Sequence, residues 1–166
     1  MKIWNNILGG LCAILLLIMT GLGAINAVLR YSSKWSGTTL SSNAFLELQW
    51  YLFSAVFLLG AAYTFYHDRH VRVDVLYGRL KPKHRQWVDR GGTILFLIPF
   101  CCFGIWSSWE FVSNSWSIQE VSSDAGGLIR YPVKSLIPLG FMLLLLQSLV
   151  WWIQSFYTDR TEIVDE

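Results

Sequence analysis

Four long apolar runs constrain this chain more than any other feature. Residues 8–29, 45–66, 93–112 and 135–156 are each about twenty residues of mainly apolar side chains. At about 1.5 Å per helical residue, a run of this kind reaches roughly 30 Å, the thickness of a bilayer's hydrocarbon core. Only 14% of the residues are charged, against roughly 25% in soluble domains. The runs leave no length for a separate soluble domain. The expected fold is therefore a single all-α membrane domain, residues 1–166, with four transmembrane helices.

The first run, Leu8–Leu29, carries no charge. Read as a cleaved signal, it would be cut after Ala24 or Ala27. That places Leu22 or Ile25 where a small residue is required, so the run reads as a retained helix. Arg30–Ala44 is rich in Ser and Thr and reads as a loop, with Ser42 or Asn43 able to cap the second helix. Glu47 falls near the start of that helix, where the dipole favours a negative charge. It reads either as an interfacial carboxylate at the membrane edge or as a contact to a neighbouring helix or partner subunit. Pro99 should kink the third span or mark a local irregularity. Glu110 is awkward if that span ends at Val112, because a carboxylate opposes the dipole there. Either the helix continues to about Trp116, or Glu110 has a donor partner. Residues 113–133 form a polar loop with a short apolar patch, either on the surface, dipping into the membrane or covering a partner. Pro138 suits the first turn of the fourth span, and Gln147 is that span's main interior polar group.

Between the second and third runs lies the most charged segment, Tyr66–Arg90. Written as a helix, residues 70–80 place Val73, Leu76, Tyr77 and Leu80 on one face, which predicts an amphipathic helix in the membrane interface. With four spans, this segment and both termini share a side. That side holds Lys2, Arg69, Arg72, Arg79, Lys81, Lys83, Arg85, Arg90 and Arg160, whereas the other holds only Arg30, Lys34, Arg130 and Lys134. The imbalance predicts a cytoplasmic location for the termini and the central segment. It also accounts for the basic residues without a nucleic-acid partner.

No catalytic site, cofactor site or metal site can be assembled from the sequence. The three histidines, His67, His70 and His84, all lie between spans two and three, not within a span where a haem would need axial ligands. Cys12, Cys101 and Cys102 lie inside apolar runs and read as small hydrophobes. No nucleophile, phosphate or zinc motif occurs. The spans also lack the buried polar sites expected of a self-sufficient carrier. What remains is a four-helix membrane subunit supporting another protein. The alternatives are the anchor of a redox complex or a small homodimeric transporter.

Several short motifs carry a resemblance. Glu47-Leu48, Leu59-Gly60-Ala61-Ala62-Tyr63 and His70-Val71-Arg72-Val73-Asp74 are followed by Pro99-Phe100, Ser115-Trp116, Glu120-Val121-Ser122 and Gly126-Gly127-Leu128. Lys134, Ile137 to Phe141 and Gln147 complete the series. Together they resemble the small permease subunit of TRAP (tripartite ATP-independent periplasmic) transporters, the DctQ-like family. The resemblance covers about residues 5 to 155. It implies a non-enzymatic subunit of the bacterial inner membrane, partnered by a large permease subunit and a periplasmic substrate-binding protein. That assembly would perform sodium-coupled uptake of an organic acid. It also implies that Glu47, Arg72, Asp74 and Glu120 are interface or orientation residues, not substrate ligands. The same expectation extends to the motif residues His70, Trp116, Gly126, Gly127 and Gln147, and to the apolar face of Val73, Leu76, Tyr77 and Leu80.

Overall fold

The computed structural model describes residues 2–36, 42–68, 77–78 and 80–164. The helices are α1 (Lys2–Ser36), α2 (Asn43–Tyr66), α3 (Pro82–Gly92), α4 (Ile98–Ser117), the single turn α5 (Tyr131–Lys134) and α6 (Leu136–Val164). A π-helical segment, Thr93–Leu97, joins α3 to α4 without a break, so the third span is one long helix. Among the described residues, four helices are long and apolar enough to cross a membrane. The predicted all-α, four-span architecture is observed. Most of the segment 70–80 expected as an interfacial helix, including His70, Arg72, Val73, Asp74 and Leu76, lies outside the described residues.

Neighbour relations define a row. α2 packs against α1 on one flank and α6 on the other, and α6 packs against α4. Within the most apolar stretch of each span, 11% of α1, 6% of α2 and 22% of each of the other two are buried. A closed bundle hides a wide stripe on every helix. These low fractions fit a single layer, with broad apolar faces left for lipid or another protein.

Small residues set the spacing within the row. Gly9 receives the Tyr63 ring, and Gly23 faces Gln49, which fixes α1 antiparallel to α2. At Gly140 of α6, a Cβ would lie 2.8 Å from the Leu58 Cβ and 3.1 Å from its carbonyl oxygen, so α2 and α6 approach backbone to backbone. Gly104 of α4 lies beneath the ring of Phe141. The buried residues Cys101, Gly104, Ser108 and Ser115 recur at helical spacing and mark the α6-facing side of α4.

Two boundaries differ from the sequence reading, and at a third, the end of α4, the structure takes the longer of the two readings offered. α1 continues through Ser36, where a loop is expected from Arg30. Gly23 stands level with Gln49, so Leu29 stands level with the first residue of α2. The seven residues from Arg30 to Ser36 therefore project past α2 by roughly 10 Å. Their Ser, Arg and Lys side chains tolerate a helix as readily as a loop. α2 begins at Asn43, not Phe45, with Ser42 Oγ accepting from the Ala44 N–H at 3.2 Å. Glu47 consequently falls beyond the first turn and has no dipole advantage. α4 runs to Ser117, which leaves Glu110 two turns from the helix end.

The irregularity expected at Pro99 is the π segment just before it. Pro99 has no N–H to donate, and the wider turn lets the Ile98 N–H reach the carbonyl of Thr93, five residues back. At the end of the row that carries both described chain ends, Arg90 is 7% exposed. Its Nε donates to Ser155 Oγ at 3.0 Å and its guanidinium lies 4.5 Å from the Phe156 ring centre. Asn5 Nδ2 donates to Gln147 Oε1 at 3.4 Å, tying α1 to α6 behind α2. Gly140→Val should force α2 and α6 apart and cost about 1–3 kcal/mol, read as a lower melting temperature in detergent. Gly21→Ala, where a Cβ meets nothing within 4 Å, should leave it unchanged.

Candidate functional site

The polar residues at the opposite end of the row converge on one carboxylate. Glu47 is 3% exposed, although it stands only just over one turn inside α2. A buried ion must be surrounded by donors, and residues 118–130 supply them. The Leu128 N–H donates to Glu47 Oε2 at 2.6 Å. Ser122 Oγ and Arg130 Nη2 both donate to Oε1, the latter at 3.3 Å. Arg130 also donates to Ser122 Oγ at 3.0 Å, so the guanidinium, hydroxyl and carboxylate close a ring.

The backbone of 118–130 is shaped for this contact. α4 ends as the Glu120 N–H reaches the Ser115 carbonyl at 3.0 Å, with Gln119 in the left-handed region at φ 47. This termination reverses the chain. A narrow hairpin follows, with an antiparallel bridge between Val121 and Ile129 and the Ser122 N–H bonded to the Leu128 carbonyl at 3.0 Å. The tip closes when the Gly127 N–H donates to the Asp124 carbonyl at 2.9 Å. Gly126 holds φ 72, a left-handed turn position that favours glycine. Gly127 serves a different need. A Cβ there would lie 2.3 Å from the Ser122 Cβ and would displace the hydroxyl that serves Glu47. Asn43 Nδ2 fastens the tip to α2 by donating to the Ala125 carbonyl at 3.3 Å.

A second carboxylate holds the base of the hairpin. Glu120 accepts from Lys134 Nζ and, at 2.8 Å, from Ser115 Oγ. The Lys134 ammonium also lies 4.0 Å from the Phe111 ring centre. Trp116 Nε1 donates to Ser135 Oγ at 2.7 Å, and its ring meets Tyr131 edge-on at 4.6 Å. The Lys134 hydrogen bond, followed by that of Ser115, lowers the Glu120 pKa below its ordinary value.

The structure thus brings together Glu47, Glu120, Gly126 and Gly127, with Trp116 at the margin. Gln147 lies at the far end of the row with Asn5. Tyr77 and Leu80 are also distant. Tyr77 Oη donates to Asp89 Oδ2 at 2.6 Å, and the Leu80 carbonyl accepts from Arg85 Nε at 2.9 Å. Arg130 is the important residue that sequence reasoning passed over. The one signal for it was an acid at the start of the second apolar run and a base just before the fourth. Among the described residues, the groups that meet Glu47 are hydrogen-bond donors to its carboxylate. The site's chemistry is that of an interhelical fastening.

Residues 19–158 match a family described as tripartite ATP-independent periplasmic transporters, DctQ component. The chain belongs to the DctQ family. A Haemophilus influenzae protein described as a TRAP transporter small permease protein is 31% identical over 128 residues, covering 76% of each chain. The resemblance carried by the short motifs is therefore established. This DctQ chain is a multi-pass membrane component of a transporter and not an enzyme. The stretches at Glu47, Glu120-Val121-Ser122 and Gly126-Gly127-Leu128 singled out in the sequence are the parts of one fastening.

Glu47→Ala should strand Arg130 and free the hairpin, measured as faster proteolysis within 118–130 and a lower melting temperature. Glu47→Gln should show the same effects more weakly, because it keeps an acceptor. Glu120 has a lowered folded pKa, so its stabilising contribution is complete above the unfolded value of about 4.3 and is lost as pH falls through the lower, folded value. The melting temperature should therefore fall on acidification below about pH 4, and Glu120→Gln should flatten that dependence.

Proposed function

We propose that this chain is the static brace of a TRAP transporter. In this reading it widens and orients the large permease subunit, which moves solute. The carried solute is an organic acid delivered by a periplasmic binding protein, and its uptake is coupled to sodium. The chain lies in the bacterial inner membrane with its termini and central segment in the cytoplasm, as the excess of Lys and Arg on that side favours. Glu47, Glu120, Trp116, Gly126, Gly127 and Gln147 then act by holding the brace in shape. His70, Arg72, Val73, Asp74, Leu76, Tyr77 and Leu80 act at the cytoplasmic edge as interface or orientation residues.

The observation that best supports this reading is the open layer. Four spans bury so little of one another that most of their apolar surface is available to lipid or a partner. The larger buried polar side chains Asn5, Arg90 and Gln147 bond a neighbouring helix. Glu47 is enclosed by the hairpin and not directed into a passage. A rigid panel of this kind suits a support that does not move, against which another subunit can.

Reconstitution tests the proposal. Vesicles containing this chain alone should show no uptake of a labelled organic acid. Vesicles containing it with the large permease and the binding protein should show uptake that requires a sodium gradient. Uptake by the chain alone would overturn the proposal.

A further inference from the structure

At the Glu47 end of the row, the carboxylates and cations do not match in number on α4's side. Glu47 is paired with Arg130, and Glu120 with Lys134. The remaining cations at this end, Arg30 and Lys34, sit on α1 at the far edge of the row. Glu110 is exposed on α4 and makes no hydrogen bond or ion pair among the described residues. It belongs to a polar stripe. Ser107, Glu110, Asn114 and Ser117 are all exposed and follow helical spacing on the side away from the buried Cys101, Gly104, Ser108 and Ser115. Trp106 and Trp109 stand out beside Glu110, at 74% and 63% exposure. With Cys102, Ile105 and Ser107 they border a groove of about 790 Å³ that is open to the side.

The depth of Glu110 matters. Gly104 lies beneath Phe141, and Trp116 bonds Ser135. Glu110, midway between them, is level with the first turn of α6. A helix face bordering lipid at that depth is normally apolar, and ionisable groups there normally have a partner. A second copy of this chain docked symmetrically on the same face would set Glu110 against Glu110, which is repulsive.

We infer that the outer face of α4 is a docking face for a transmembrane helix of the large permease subunit, and that this helix supplies a basic side chain to Glu110. The inference rests on the subunit reading above and assigns one face to it. The tryptophans frame the contact with large flat surfaces, and the Ser107–Ser117 stripe offers further hydrogen-bonding groups to the partner.

The test uses the complex purified from membranes through a tag on this chain. A photoreactive p-benzoylphenylalanine at Ser107 or Asn114 should yield an adduct with the mass of this chain plus the large permease. An adduct of twice this chain's mass, a lipid adduct alone, or no adduct overturns the inference. Glu110→Lys should reduce recovery of the large permease by about tenfold or more, as expected for losing a charge-assisted contact, with unchanged membrane insertion. Glu110→Gln should reduce it less. Undiminished recovery with Glu110→Lys also overturns the inference. If the unsubstituted chain recovers no large permease at all, the subunit reading fails instead, before any face is assigned.

Discussion

A carboxylate removed from water needs donors on every side, and most of the structure at one end of the row follows from meeting that need for Glu47. A helix cannot supply those donors to its own side chain just past its first turn. They have to come from a segment elsewhere in the chain, here 83 residues away at Arg130. The donors come from one side chain on each arm of the hairpin, Ser122 and Arg130, and from the Leu128 backbone between them. The hairpin is narrow enough to bring the three together because two glycines form its tip. Its roots are the last turn of α4 and the short helix α5 before α6. Satisfying one side chain of α2 therefore also fixes where α4 ends and where α6 begins.

Reading the sequence recovers the parts of this design that depend on solvent. Apolar length predicts four spans because lipid accepts any apolar side chain, and no long-range pairing is needed to recognise them. The effect of Pro99 is equally legible, since a missing N–H has a purely local consequence. Helix ends are less so. Arg30–Ser36 has loop composition, yet it continues α1. Serine, arginine and lysine carry only weak local preferences, and packing on the preceding turns can override these. The Glu47–Arg130 pairing is the least legible. A helix start and a loop far along the chain meet only after the row has formed. The motifs at Glu120 and Gly126-Gly127 could be recognised as features of a family, but their physical purpose appears only with the Ser122 hydroxyl in its place beneath Gly127.

The row itself has a physical logic. Soluble bundles close because water penalises every open apolar face. In a bilayer that penalty is absent, and helices associate through close packing and polar contacts. Here the close packing is supplied by Gly9, Gly104 and Gly140, and the polar contacts by pairs such as Asn5–Gln147 and Arg90–Ser155. These polar pairs fasten one end of the layer and the Glu47 hairpin fastens the other, while its broad sides stay open. A flat element fastened at both ends resists shear without enclosing anything. That combination is what the proposed brace would require.

The overhang of α1 has its own consequence for how the protein meets membranes of different thickness. The other three spans are bound to one another by the hairpin and the close-packed glycines, so their vertical extent is set. Past Leu29, α1 has no neighbour on α2 to hold it level. A thicker leaflet can rise along Arg30–Ser36, with Tyr31 and Trp35 meeting the headgroups, while the rest of the layer keeps its depth.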